Sequence, residues 1–150
     1  MKKPSISLKA RALRYLSLRE HSRMELERKL RPHVQEGEDL EAVLNFLESA
    51  KYLSETRFAD SMVNRRQARF GSQRILNELQ THGMSQHEVE RVREHLQETE
   101  MERALQVLHK KFPEAAQNYA ESCKQMRFLQ QRGFSGQVIS RVVRAAREED

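Results

Sequence analysis

The sequence predicts an all-α protein of three tandem three-helix repeats, forming an elongated, curved molecule. Three observations carry that expectation. Leu, Glu, Arg, Gln and Ala are abundant, and only 5 Gly and 3 Pro stand among 150 residues, a balance that favours helix over tightly turned sheet. With 37% apolar and 33% charged residues and no Trp, the chain suits thin helical layers with much solvated surface better than one deep interior. Finally, the sequence repeats itself: ILNELQTHGMSQHEVERV at 75–92 returns fifty positions later as QMRFLQQRGFSGQVISRV at 125–142. Leu79 pairs with Leu129, Gly83 with Gly133, Met84 with Phe134, Ser85 with Ser135, Val89 with Ile139 and Val92 with Val142. The start of the chain joins the pattern at an offset of 49, where Leu26 meets Ile75, Leu30 meets Leu79, Leu40 meets Val89 and Leu47 meets Leu96.

The first copy, residues 1–53, opens on the stripe Leu8, Ala12, Tyr15 and Leu16, spaced to bury one face of a helix. Its basic, serine-containing start also reads like an amphipathic presequence, but membership of the repeat favours the structural reading. Ser22 and Glu25 form a capping box that starts a second helix. At the corner after that helix, Val34 stands where the other copies have glycine. In the second copy, residues 54–98, Ser54 caps a helix through about Arg69, Gly71 and Ser72 break and restart it, and Gly83 ends the next. Ser85 caps the third. Glycine suits the corner because the chain there turns through a left-handed conformation that a β-carbon opposes. Met84 or Phe134 is expected to plug each corner. In the third copy, residues 99–150, Pro113 lengthens the first linker, so the second helix begins somewhere between Pro113 and Glu121.

Little here points to chemistry. Cys123 is the one cysteine and has no partner for a disulfide, which fits a reducing, cytoplasmic setting. Six scattered histidines include no metal-ligand spacing, and neither a phosphate loop nor a nucleophile elbow is present, so no catalytic, cofactor or metal residues are expected. No window is apolar enough to span a membrane. The formal net charge is +5, with 11 basic and 8 acidic residues in 1–53, 7 and 7 in 54–98, and 9 and 7 in 99–150. That leaves room for weak non-specific DNA contact without the concentrated basic stripe of a dedicated nucleic-acid binder. The third helices mix both signs of charge, which speaks against base readout by a helix-turn-helix.

One local cluster stands out, RRQARFGSQR, with Arg65, Arg66, Arg69 and Arg74 around Phe70 and Gly71. Arg65 and Arg69 are four apart and would share a helix face. Arg74 would occupy the first turn after Gly71, an unfavourable place for a cation unless an anion or partner carboxylate is near. Two readings remain open: a solvated face paired with Glu78 or Asp60, or a contact for an acidic partner. Lys110, Lys111, Lys124 and Arg127 in the last repeat are further candidates for partner contact.

The run from Phe58, FADSMVNRRQARFGSQRILNELQTHGMS, followed by FLQQRGFSGQVISRVV and preceded by ALRYLSLREHSRMELERKL, resembles the RecX family of bacterial recombination regulators over nearly the whole chain. Phe58, Ala59, Val63, Arg65, Gly71, Ile75, Glu78, Leu79 and Gly83 match the family's middle-copy motif, and Met62 stands where the family has tyrosine. The resemblance implies three three-helix repeats and no enzymatic activity. It further implies a protein that binds RecA and its filament on single-stranded DNA, restraining ATP hydrolysis, strand exchange and coprotease function, as part of DNA repair, homologous recombination and the SOS response. The expected oligomeric state is monomer. Two rival readings are a small helical DNA-binding protein acting without RecA and an adaptor whose concave face holds some other helix or tail.

Overall fold

The computed structural model describes residues 6–148, so Met1–Ser5 of the basic start lie outside the described residues. Among the described residues there are nine α-helices and no strand. The first repeat contains α1 (Leu8–Leu18), α2 (Arg23–Leu30) and α3 (Leu40–Ser49), with a 3-10 turn at Arg31–His33 after α2. The second contains α4 (Glu55–Arg66), α5 (Ser72–Thr81) and α6 (Gln86–Gln97). The third contains α7 (Glu100–Lys111), α8 (Tyr119–Gln131) and α9 (Gly136–Glu148).

Helix starts follow local chemistry closely. Ser22, Ser54 and Ser85 each accept the amide three residues on, at 3.1, 3.2 and 3.2 Å. Asn118 does the same for α8, which places that start inside the Pro113–Glu121 window. In the capping box the carboxylate of Glu25 forks onto Arg19, at 3.0 and 2.6 Å. Gly83 and Gly133 take the left-handed corner with φ of +71° and +93°. Phe134 is buried behind its corner, whereas Met84 packs half-exposed against its core. In the first repeat Val34 is extended, and the left-handed turn falls three residues later, at Gly37 with φ +83°. The 3-10 turn around Pro32 lengthens that corner.

Helix α4 stops at Arg66, short of the expected Arg69. Residues 67–69 form a turn, closed by the amides of Arg69 and Phe70 on the Arg66 carbonyl. Arg69 therefore lies beyond the helix and does not share a helix face with Arg65. The turn is held from a distance in sequence: the buried guanidinium of Arg103 on α7 donates to the carbonyls of Gln67 and Phe70, at 3.2 and 2.9 Å.

Each repeat buries its own small core. Leu8, Leu26, Leu30, Leu44 and Leu47 build the first, Phe58, Met62, Ile75, Leu79 and Leu96 the second, and Leu108, Leu129, Phe134 and Val142 the third. Three thin cores leave much surface: 10205 Å² is accessible, against roughly 8,000 Å² for a compact monomer of this mass.

The repeats join through the ends of their second helices. At α5 the amides of Gly71 and Gln73 donate to the carbonyls of Arg132 and Gly133, at 2.7 and 3.1 Å. The free amides at the start of α5 thus meet the carbonyls at the end of α8, each helix end satisfying groups the other lacks. Side chains make the equivalent contact one repeat earlier, where Ser22 Oγ at the start of α2 lies 2.9 Å from His82 Nδ1 at the end of α5. A salt bridge of 2.9 Å from Arg57 to Glu20 adds to that first junction.

Candidate interaction surface

At the junction of the second and third repeats, the turn after α4 brings Arg69 and Phe70 against the end of α7 and the side of α8. A cavity of about 440 Å³ opens there, and four of its lining residues are cations: Arg69, Lys110, Lys111 and Arg132. None of the described residues lining it is acidic, and its apolar lining residues are Ala68, Val107 and Phe128. Phe70 sits at the edge with three guanidiniums around its ring, Arg74 at 4.0 Å, Arg69 at 5.4 Å and Arg132 at 5.6 Å. Arg132 also lies 5.1 Å from the ring of Phe128, which packs edge-on against Phe112 at 5.5 Å. The ring faces attract the guanidinium planes and hold several cations together despite their mutual repulsion.

Of the eight basic residues singled out from sequence, the fold brings Arg69, Lys110 and Lys111 into this groove and sets Arg74 beside it. Arg66 is spent elsewhere: it forks onto Glu78 at 3.2 and 3.1 Å, while Asp60 pairs with Arg91 at 2.8 Å. Arg65 is exposed on α4, its Nε 3.4 Å from the Ser61 carbonyl. Lys124 faces a neighbouring pocket of mixed charge with Glu114 and Glu121, and Arg127 is exposed on α8 outside the groove.

Two arginines escaped the sequence reading. Arg132 looks like an ordinary residue at a helix end until α8 is docked onto α5. Arg103 is buried with no carboxylate in hydrogen-bond contact among the described residues, and it donates to the carbonyls of Gln67, Phe70 and Leu96 and the hydroxyls of Ser72 and Thr99. Burial lowers its pKa from the ordinary arginine value, opposed by nearby Glu100. A cation in the fourth position of α7, where the helix dipole opposes it, is the same signal that drew notice to Arg74.

Similarity to known proteins locates this geometry. The chain is 52% identical over 146 residues to the regulatory protein RecX of Herbaspirillum seropedicae, covering 97% of this chain and 95% of that protein. The chain belongs to the RecX family. A second RecX, from Herminiimonas arsenicoxydans, is 51% identical over 150 residues, covering 100% of this chain and 99% of its own length. Residues 9–47 match the first three-helix domain of RecX, and residues 98–143 match the third. The crystal structure of RecX from Lactobacillus salivarius superposes with a TM-score of 0.80 at 20% identity, over 94% of this chain and 95% of that one, so the fold is common to both. The repeat architecture is thus a RecX architecture.

The first repeat of this RecX family member is expected to be acid-sensitive through a latch of Arg19, His21 and Glu25. The hydrogen bonds from Arg19 hold the Glu25 carboxyl down at about 2 from an ordinary 4.5, aided by the arginine's charge and opposed by burial. Beside it His21 is buried; its Nδ1–H donates to the Arg19 carbonyl at 3.0 Å, and its Nε2 accepts from Lys29 Nζ at 2.9 Å. Burial lowers the His21 pKa, opposed by its bond to the Arg19 carbonyl and by the Glu25 charge, while the positive charges of Arg19 and Lys29 push it further down. Both folded-state values lie below their unfolded ones, so the unfolded chain binds more protons and acid destabilises the fold. Stability is expected to be complete above about pH 6.5 and to fall below it as His21 resists protonation. It should fall further from about pH 4.5 towards 2 as Glu25 is titrated. Thermal melts across this range check it. Glu25→Gln should flatten the lower limb, and a wild-type Tm independent of pH between 6.5 and 3 would refute the latch.

Proposed function

We propose that this protein is a non-catalytic regulator that binds RecA and its filament on single-stranded DNA and lowers ATP hydrolysis, strand exchange and coprotease activity. The observation that carries the reading is the full-length identity to regulatory RecX proteins. The three-repeat stack supports it physically. A ladder of similar modules, with divisions near 1–53, 54–98 and 99–150, can lie along a helical filament and touch several subunits at once. Weak contacts then sum by avidity. Regulation needs no residue inside the RecA active site: a protein that prefers one filament geometry moves the population towards it by its differential affinity. In this reading the protein works as a cytoplasmic monomer without cofactor, and the basic residues at the second and third repeats, Arg65, Arg69, Arg74, Lys110, Lys111, Lys124 and Arg127, are contact candidates. Arg66 is the weakest of the original set because Glu78 already neutralises it.

The purified protein alone should turn over no ATP, yet it should slow hydrolysis by RecA on single-stranded DNA in proportion to its concentration. Arg69→Glu with Lys110→Glu should weaken that effect about tenfold or more, because like charge across an interface costs several kcal/mol while exposed charges add little to stability. Unchanged inhibition by a folded double variant would remove these two residues from the contact. Absence of any effect of the parent on RecA would overturn the function.

A further inference from the structure

The two junctions between repeats are built differently. At the second, backbone meets backbone: besides the hydrogen bonds from Gly71 and Gln73, the Cβ of Arg74 stands 2.4 Å from the point that a β-carbon on Gly133 would occupy. At the first, the matching space beside Gly83 is filled by the tip of a long side chain. The Cε methyl of Met24 lies 2.7 Å from the point a β-carbon on Gly83 would occupy, and its sulfur lies 3.9 Å away. Ser22 with His82 and Arg57 with Glu20 are likewise side-chain contacts. We propose that Met24 is a site of reversible oxidation, at which a hydroperoxide converts the thioether to the sulfoxide and so releases the first repeat from the second. The reaction moves one oxygen atom from the peroxide to sulfur. Sulfur loses two electrons, the O–O bond breaks, and hydrogen peroxide leaves as water or an organic hydroperoxide as its alcohol.

Access singles out this methionine. Met24 is 50% exposed, whereas Met62 is buried and Met84, Met101 and Met126 are partly buried against their cores. A cavity of about 370 Å³, lined by Met24, His82, Gly83 and Met84 among others, gives a small oxidant room to approach. The product does not suit the place the thioether held. A sulfoxide is polar, and its oxygen accepts hydrogen bonds without donating any. Glu27, Glu48 and Glu55 line the same cavity and are acceptors themselves. Two of the cavity's donors are already engaged, the Arg23 guanidinium on Glu48 at 3.0 Å and the Ser85 amide on the Glu55 carboxylate. The new oxygen is therefore better solvated in water than against Gly83, and the methyl leaves the corner with it. Sulfoxide reductases return the thioether with electrons from thiols, so the change can be undone. For a ladder of modules on a filament the consequence would be lost avidity, a step that rests on the regulator reading.

The test contains no RecA, so its failure leaves that reading standing. Full-length protein is treated with hydrogen peroxide, and peptide mass spectrometry follows each methionine. Met24 should gain its oxygen before Met62, Met84, Met101 and Met126. Once it has, hydrogen exchange should quicken severalfold in residues 20–26 and 82–85, while the amides of Gly71 and Gln73 at the second junction keep their protection. Methionine sulfoxide reductases of both epimer specificities, supplied with dithiothreitol, should restore the original exchange. Met24→Leu keeps an apolar tip without sulfur, so peroxide should leave its exchange as it was in the untreated variant, although Cys123 and the other methionines are still present. Met24→Gln, which puts a polar group at the corner, should show the quickened exchange without peroxide. Oxidation of Met84, Met101 or Met126 ahead of Met24 would overturn the site. Unchanged exchange after Met24 is oxidised, or the same peroxide response in Met24→Leu, would overturn the release.

Discussion

Replacing Gly71 or Gly133 by alanine is expected to separate the third repeat from the second. A β-carbon on Gly71 would stand 2.4 Å from the carbonyl of Gly133 and the amide of Phe134, and both obstacles are backbone. One on Gly133 would meet the Cβ of Arg74 at 2.4 Å, and it would also burden a residue whose φ is +93°. Nothing can swing aside as a long side chain would. Overpacking of this kind costs about 1–3 kcal/mol. Displacing the two junction hydrogen bonds adds about 1 kcal/mol each. The left-handed backbone adds roughly 1–2 kcal/mol for Gly133→Ala. Because the three cores are separate, the loss should not appear as a uniformly weaker protein. Calorimetry should show a second, lower transition, and hydrogen exchange should speed up in α7, α8 and α9 while α1 to α6 keep most of their protection. Gly136→Ala is the control: beyond its chain neighbours and its own helix backbone, no described atom lies within 4 Å of its β-carbon, and alanine at the start of α9 should be neutral or slightly stabilising. A Gly71→Ala protein that melts in one transition at the parent temperature would refute the junction.

Arg103→Met should act on the same junction from the inside. The arginine supplies the donors for three carbonyls and two hydroxyls drawn from the α4–α5 turn, the end of α6 and the start of α7. Methionine fills the volume but removes the side-chain donor of the Gln67 and Phe70 carbonyls, each worth about 1–3 kcal/mol if water does not reach it, while the Leu96 carbonyl keeps the amide of Thr99. A net loss of about 3 kcal/mol is expected, which for 150 residues lowers Tm by roughly 6–12 °C. Lysine should rescue little, since a single ammonium cannot span groups that a planar fork reaches at 2.9–3.2 Å. Urea melts of both variants check this. A methionine variant as stable as the parent would mean that water or rearrangement replaces the guanidinium. Arg103→Met should also disturb the groove, because the turn it anchors carries Arg69 and Phe70 to it.

The sequence by itself determined what neighbouring residues decide. Helix starts at Ser22, Ser54 and Ser85 were legible because a hydroxyl caps an amide three residues away. The corners at Gly83 and Gly133 were legible because one residue's φ preference is enough to end a helix. Repetition of those local signals, with the apolar positions between them, implied three units and the RecX fold. Tertiary structure alone decided the rest. Gly71 has an ordinary φ of −77°, so no local rule asks for glycine there; the requirement comes from the Gly133 backbone, 62 residues on. The turn after α4 is held by Arg103, more than 30 residues on. Of the four arginines in RRQARFGSQR, sequence proximity could not say that Glu78 occupies Arg66 while Arg69 and Arg74 gather with Arg132 on Phe70. A charge acquires its role from what stands within a few ångströms in space, and in a stack of helices most of those neighbours come from another repeat.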